Sequence, residues 1–255
     1  MQKEFIIIDG HRLETAWIGA EDARKASPLV LLHEGLGSIS LWKDFPQRLA
    51  KATQRPLLVY SRYGYGESDV LTEPRLPSYM HHEALTVLPQ LLDALEVTRP
   101  VFVGHSDGAT IALIYAAESG RPVDAIVAMA PHEFVEEKTL AALREAREFY
   151  KTSDLPARLG RHHQDADRTF YYGWNDIWLS PEFRDWDIRA LLPSITCPVL
   201  ALQGIQDEYA SMEQIDVIGR SIPGARLLKI DQCGHSPQRD QPQAVIDAIA
   251  GFLRV

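Results

Sequence analysis

The pentapeptide Gly104-His105-Ser106-Asp107-Gly108 carries the strongest chemical signal in the sequence, because it has the pattern G-x-S-x-G. A serine hydroxyl in such a turn can attack a carbonyl carbon if a neighbouring base removes its proton. The turn strains the serine backbone, and its two glycines leave room for neighbouring backbone that side chains would crowd. The pattern therefore predicts that Ser106 is a nucleophile, and the alternative is an incidental serine in a glycine-rich turn.

Two later loops could supply the base and the group that orients the base. His235 and Asp207 each follow a predicted strand, and the chain order Ser, Asp, His is the one associated with this serine turn. We therefore expect Ser106, His235 and Asp207 to form a catalytic triad. For His235 the alternative is a capping or core histidine. For Asp207 it is a loop aspartate, with Glu208 or Glu133 acting as the acid instead.

The elements around these residues alternate between strands and helices, which is typical of a mostly parallel sheet with helices on both faces. The first two strands should form a hairpin with Asp9-Gly10 as its turn. Parallel strands end at one edge of a sheet, so residues far apart in sequence can converge there. The predicted strands are 5–8, 11–17, 28–33, 56–60, 101–103, 124–130, 197–203 and 225–230.

Residues 134–190 differ from this alternating pattern in composition. They have charged helical stretches, many aromatic residues and no β-branched run typical of a strand. We predict that they form a helical cap inserted into a core made of residues 1–133 and 191–255. A cap in this position should cover Ser106. Tyr172, Trp174 and Trp178 are then candidates for lining a substrate pocket, and the alternative is that these rings only attach the cap to the core.

Composition sets the broad class. The chain has 255 residues, of which 45% are hydrophobic and 24% charged, as in a soluble globular domain. Its net charge of −9 disfavours nucleic acid and anionic membranes as partners. The sequence shows no signal-peptide pattern and no apolar run that could span a bilayer, so we expect a cytoplasmic location.

Cysteine and histidine patterns favour neither disulfides nor metal. The two cysteines, Cys197 and Cys233, do not make a disulfide framework. The pairs His81-His82 and His162-His163 have no further ligands at suitable spacing, and we interpret them as surface or cap residues. We expect no metal and no cofactor.

These features together resemble the α/β-hydrolase fold superfamily over nearly the whole chain. The turn after strand 28–33, the loop 62–68, the serine turn, the cap, the acid loop and the histidine loop follow in the expected order. The resemblance implies an eight-stranded, mostly parallel sheet flanked by helices, with a helical cap insertion. It implies Ser106 as nucleophile, His235 as general base and acid, and Asp207 as the orienting carboxylate.

The resemblance also implies an oxyanion hole of two backbone N–H groups. One belongs to Asp107, and the other comes from the turn His33-Glu34-Gly35-Leu36-Gly37, which departs from the usual His-Gly-x-Gly pattern. Matching the glycines makes Leu36 the donor, whereas matching the histidine makes it Gly35. We favour Leu36.

Two acidic side chains, Glu34 and Asp107, stand beside this expected hole, where an oxyanion must be stabilised. Either they face away or a cation such as Arg62 pairs with them. Glu34 and Arg62 are thus further candidates for the substrate pocket. If the acids do face the substrate, neutral or cationic acyl groups should be preferred over carboxylate-bearing ones.

The predicted function is cofactor-free hydrolysis of a small ester or lactone through an acyl-enzyme. Dehalogenases and epoxide hydrolases of this fold place aspartate at the nucleophile position, so Ser106 argues against both. A carbon–carbon bond hydrolase of ring-cleavage products shares the same constellation and is the first alternative. The alternative of a different class is a catalytically silent member that only binds a small-molecule ligand.

Overall fold

Eight strands form one sheet in the computed structural model, which describes residues 2–19 and 27–254. The strands are β1 Lys3–Ile8, β2 His11–Ile18, β3 Leu29–Leu32, β4 Leu57–Ser61, β5 Val101–His105, β6 Ala125–Met129, β7 Val199–Gly204 and β8 Arg226–Ile230. Their order across the sheet is β1-β2-β4-β3-β5-β6-β7-β8. The pairs β1–β2 and β2–β4 are antiparallel, and all other pairs are parallel. The predicted mostly parallel eight-stranded sheet is confirmed.

The central strands are buried on both faces, which explains their continuous apolar sequences. Every residue of β3, β4, β5 and β6 is buried. Two hydrophobic clusters cover the two faces of the sheet, and alternate residues of each strand contribute to one or the other, as Val30 and Leu31 of β3 do. Because strands β3 to β8 run parallel, the loops that follow them lie at one edge of the sheet.

Helices flank the sheet. They are α1 Phe45–Thr53, α2 Tyr79–His82, α3 Leu88–Ala94, α4 Asp107–Glu118, α5 Glu137–Thr152, α6 Leu155–Leu159, α7 Ala166–Phe170, α8 Asp176–Trp178, α9 Glu213–Ser221, α10 Pro237–Asp240 and α11 Pro242–Phe252. A π-helical turn, Glu83–Val87, joins α2 to α3 just before Pro89, which has no N–H to donate to a regular helical ladder. Within the described residues, none of the helices is both long and apolar enough to cross a membrane.

The connection between β6 and β7 is almost entirely helical. It contains α5 to α8, a π-helical turn at Tyr171–Asn175 and 3₁₀ turns at Pro181–Phe183 and Arg189–Ser194. One isolated bridge pairs Phe134 with Asp187. The connection is mostly helical over residues 134–190, and its His163 contacts the loops after β3 and β4. That this segment is a cap separate from the core stays a prediction.

His163 joins this helical connection to the sheet loops. Of the two interpretations, surface or cap residue, the first is wrong, because the side chain of His163 is buried within this segment. The Gly66 N–H donates to its Nδ1 at 3.0 Å, and its Nε2 donates to the Leu36 carbonyl at 3.0 Å. Burial lowers the pKa of His163 to about 4, so the ring is neutral at pH 7.

Replacing His163 by glutamine tests how much of the pH dependence of stability this ring causes. In the unfolded chain a histidine titrates at about pH 6.5, whereas folding holds the pKa of His163 at about 4. The unfolded state binds more protons between these values. The contribution of this ring to the free energy of unfolding is therefore complete above the pKa that it has in the unfolded chain. It is lost as pH falls towards the pKa that it has in the folded chain.

We expect the free energy of unfolding of the wild type to fall by on the order of 2 kcal/mol more than that of His163→Gln between pH 7 and pH 5. Urea titrations at several pH values measure the difference. Parallel pH profiles for the two proteins would show that another group is responsible.

Candidate active site

Ser106 lies in the sharp turn between β5 and α4. Its backbone has φ 51° and ψ −119°, a conformation that residues other than glycine rarely adopt. Its N–H donates to the Met129 carbonyl at 2.9 Å. A Cβ on Gly104 would overlap the backbone of α4, and one on Gly108 would overlap the Leu32 carbonyl. Both glycines are therefore required by close backbone approach, as the pentapeptide predicted.

The structure brings Ser106, His235 and Asp207 together. His235 Nε2 lies 3.0 Å from Ser106 Oγ, and its Nδ1 lies 2.9 Å and 3.0 Å from the two carboxylate oxygens of Asp207. Asp207 also accepts from the N–H groups of Tyr209 and Ala210, at 2.8 and 3.0 Å. Burial would raise the pKa of Asp207, but its hydrogen bond to His235 and the charge there lower it, so the carboxylate is ionised. This geometry can move the Ser106 proton to His235.

The two alternative acids occupy other positions. Glu208 accepts a hydrogen bond from the backbone N–H of His235 at 3.0 Å and does not contact the ring nitrogens. Glu133 is fully buried, and its carboxyl oxygens have no hydrogen-bond partner within the described part of the chain. Burial raises the pKa of Glu133 well above its ordinary value, so this carboxyl stays neutral. Asp207 alone holds the position beside His235 Nδ1.

Two further histidines surround the His235 ring, and sequence reasoning did not single them out. His105 Nε2 donates to the His235 carbonyl at 2.7 Å and so fixes the histidine loop to the strand that carries Ser106. The His132 ring centroid lies 5.5 Å from that of His235. Burial, with the neighbouring His235, lowers the pKa of His132 to about 3, so it stays neutral. The available signal was that His132 follows β6 at the same sheet edge.

The turn after β3 is held by hydrogen bonds to one carbonyl. The Glu34 carbonyl accepts from His33 Nδ1 at 2.7 Å, from Gly37 N–H at 3.0 Å and from Arg62 Nη2 at 2.9 Å. The His33 ring accepts the Arg62 backbone N–H at its other nitrogen, at 3.0 Å. Burial holds the pKa of His33 well below its ordinary value, so the ring is neutral, and these two partners fix the proton on Nδ1. Gly35 and Leu36 are thereby fixed in place beside Ser106.

The Asp107 carboxylate faces away from Ser106 into a buried polar network. Its Oδ2 accepts from Tyr79 Oη at 2.8 Å and lies 3.5 Å from Arg62 Nη2. Tyr79 Oη in turn accepts from Trp178 Nε1 at 3.0 Å. Burial would lower the pKa of Arg62, but Tyr65 and Asp107 hold it above its ordinary value. Arg62 is thus a buried cation that balances the acid next to Ser106.

A cavity of about 240 Å³ opens at Ser106. Glu34, Trp174 and Trp178 line it, as do both candidate donors, Gly35 and Leu36. Burial would raise the pKa of Glu34, but its hydrogen bond and electrostatic interaction with His105 lower it to about 2, so an ionised carboxylate lies in the wall.

The expectation that Arg62 and Tyr172 line the substrate pocket is not met, since neither contributes to the cavity at Ser106. Arg62 is 1% exposed because it is held beneath the wall by Asp107 and the Glu34 carbonyl. Tyr172 precedes Trp174 by two residues in a helical turn, and residues with that spacing point to different sides.

Known proteins that are similar to this chain carry names of hydrolases, a lipase and a lactonase. A model of the alpha/beta hydrolase family matches residues 29–248. The sn-1-specific diacylglycerol lipase ABHD11 of Xenopus laevis is 25% identical over 255 residues, covering 89% of this chain and 79% of the relative. The putative carbamate hydrolase RutD of Stutzerimonas stutzeri is 27% identical over 232 residues, covering 82% and 85%. The solved enol-lactonase of Burkholderia xenovorans LB400 matches with a TM-score of 0.74 at 19% identity, over 99% of this chain and 100% of that one.

The pairing of Arg62 with Asp107 predicts a specific pattern of stabilities. Arg62→Met leaves the Asp107 carboxylate buried without its cation, which should cost about 3–5 kcal/mol of unfolding free energy. Adding Asp107→Asn removes that charge and keeps an acceptor for Tyr79, so the double variant should recover part of the loss. Urea denaturation of the wild type, both single variants and the double variant measures the coupling. Additive losses would contradict the role of Arg62 as counter-charge.

Proposed function

The chain belongs to the alpha/beta hydrolase family, and on that premise we propose that it is a serine hydrolase acting on a carboxylic ester or lactone. The observation that carries the proposal is the contact of Ser106 Oγ with His235 Nε2 at 3.0 Å, with Asp207 on the other ring nitrogen. ABHD11 is described as a lipase and the Burkholderia protein as an enol-lactonase, so both names fit acyl transfer.

In the proposed reaction, His235 Nε2 takes the proton of Ser106 as its Oγ attacks the substrate carbonyl carbon. The protonated ring then gives this proton to the leaving alkoxide, and an acyl-Ser106 ester remains. Water gives a proton to His235 Nε2 as it attacks this ester, and the ring returns that proton to Ser106 Oγ as the acid is released. The ionised Asp207 stabilises the imidazolium that forms in each half of the cycle.

For the oxyanion hole we propose the backbone N–H groups of Asp107 and Gly35. Arg62 and the His33 ring donate to the Glu34 carbonyl at 2.9 and 2.7 Å, so this oxygen points towards buried groups. In a trans peptide the next N–H points the opposite way, and Gly35 lines the cavity. This supports Gly35 over Leu36, the residue that matching the glycines favoured.

One charged group of the cavity wall, the Glu34 carboxylate, supports a preference for neutral acyl groups. Of the two acids that the sequence placed beside the hole, Asp107 is turned towards Arg62 and Tyr79. Glu34 lines the cavity and is ionised. A carboxylate on the substrate would meet this charge in a partly desolvated cleft, where like charges repel. We therefore propose that uncharged acyl groups are preferred, with Glu34 as the discriminating residue.

Replacing Ser106 by alanine should remove covalent catalysis and leave the fold intact, because its side chain is small and makes few contacts. The loss in kcat for p-nitrophenyl acetate should be on the order of 10⁴-fold or more. A fluorophosphonate probe should label the wild type and not Ser106→Ala. Ser236→Ala, which alters another serine of the same cavity, should still be labelled. Near-normal turnover by a folded Ser106→Ala protein would overturn the proposal.

The role of Glu34 can be measured with matched phenyl esters of a neutral acid and of its ω-carboxylate analogue. The wild type should have the higher kcat/KM with the neutral ester, and Glu34→Gln should narrow this preference roughly tenfold, or about 1.4 kcal/mol. Glu148→Gln, which removes an exposed acid of α5 outside the cavity, serves as the control. A wild type that favours the anionic ester would exclude this role for Glu34.

A further inference from the structure

A second depression, of about 800 Å³, runs beside α5 and adjoins the cavity at Ser106. The residues that α5 contributes lie at spacings of three and four, so they form one face of this helix. They are Lys138, Ala141, Ala142, Glu145, Ala146 and Phe149. Leu155 and Phe170, which lie outside α5, also line it. We call this depression the α5 groove.

The α5 groove and the cavity share a boundary. Leu36, Trp174, Glu208 and Tyr209 line both. The rings of Trp174 and Tyr209 are 6.1 Å apart between centroids, and the Tyr209 ring lies 5.0 Å from that of His235. A chain attached to a carbonyl at Ser106 can therefore pass along these rings into the groove.

One hydrophobic cluster accounts for part of the groove lining, since Phe170 packs there with Leu36, Ala146, Leu155 and Trp174. Other apolar surface of α5 is left uncovered by packing within the described residues. Ala141, Ala142 and Ala146 are only half-buried, and Phe149 is 51% exposed. Small side chains at three positions of one helix face leave a channel that larger residues would fill. Apolar, concave surface next to a reactive group is typical of a ligand site.

The walls of the groove are fixed by hydrogen bonds and ring contacts. Lys138 Nζ donates to the carbonyls of Asp207 and Ala210 at 2.5 and 3.0 Å, so its charge is engaged at one end of the groove. Phe170 is fully buried and stacks on Tyr150 with centroids 4.0 Å apart. A groove with such walls is formed before a ligand arrives, which limits the entropy lost on binding.

From these observations we propose that the substrate carries an unbranched apolar chain that lies in the α5 groove while its carbonyl lies at Ser106. The proposal rests on the proposed ester hydrolysis and names its substrate class: esters with a medium or long hydrocarbon chain. The apolar wall supplies affinity in proportion to the chain surface that it covers. The chain belongs either to the acid or to the alcohol of the ester, and the substrate series below distinguishes these sources.

The experiment compares kcat/KM for p-nitrophenyl acetate, butyrate and octanoate, and for ethyl and octyl acetate, below their critical micelle concentrations. We expect kcat/KM to rise by roughly threefold for each methylene that the groove covers, in the series whose chain enters it. Ala146→Trp fills the α5 groove and should lower the long-to-short ratio of kcat/KM about tenfold. Ala157→Trp makes the same substitution at an exposed residue of α6 outside the groove and should leave this ratio unchanged.

The outcomes separate this inference from the function on which it rests. The groove is supported if kcat/KM of the wild type rises with chain length and the long-to-short ratio falls only in Ala146→Trp. The ester series that shows this rise identifies whether the chain belongs to the acid or to the alcohol. Hydrolysis of p-nitrophenyl acetate with no gain in either series, or with equal ratios in Ala146→Trp and the wild type, overturns the groove and leaves the ester hydrolase standing. Failure of the wild type to hydrolyse any of these esters, and to hydrolyse a lactone assayed alongside them, overturns the proposed function itself.

Discussion

The close approach of three backbone segments at the Ser106 turn is the constraint on which the rest of the structure depends. Gly108 packs against the Leu32 carbonyl, and Gly104 against the first residues of α4, with no space for a Cβ at either position. This contact places the end of β3, and hence the Glu34–Gly37 turn, directly beside Ser106. Because β7 and β8 follow in the same parallel sheet, the loops with Asp207 and His235 reach the same edge.

The close approach of these segments also buries a charged side chain next to Ser106. The residue after Ser106 is an aspartate, and its side chain is 1% exposed. A buried carboxylate without partners would be costly, and here Tyr79 and Arg62 surround it. Arg62 also donates to the Glu34 carbonyl, so one guanidinium both balances the acid and shapes the turn opposite it. The buried guanidinium of Arg62 thus stabilises the Asp107 carboxylate and does not reach a substrate in the cavity.

The sequence allowed the sheet, the order of its strands along the chain and the meeting of Ser106, Asp207 and His235 to be predicted, because local patterns place these residues at strand ends. Side-chain direction across contacts between distant segments could not be predicted in this way. Arg62 and Tyr172 were expected in the pocket, yet one is held under its wall and the other lies on a different side of its helical turn. The burial of His163 could not be predicted, because its partners, Gly66 and Leu36, lie 97 and 127 positions earlier.

The hydrogen bond from His163 to Leu36 also bears on how such a protein can diversify. The helical connection between β6 and β7 does more than cover the cavity, since it supplies a donor to the turn whose backbone stands beside Ser106. An exchange of this segment for that of a relative would replace the donor together with the pocket wall. A functional chimera would therefore need a replacement hydrogen-bond donor facing the Leu36 carbonyl, so specificity and the alignment of the turn are inherited together.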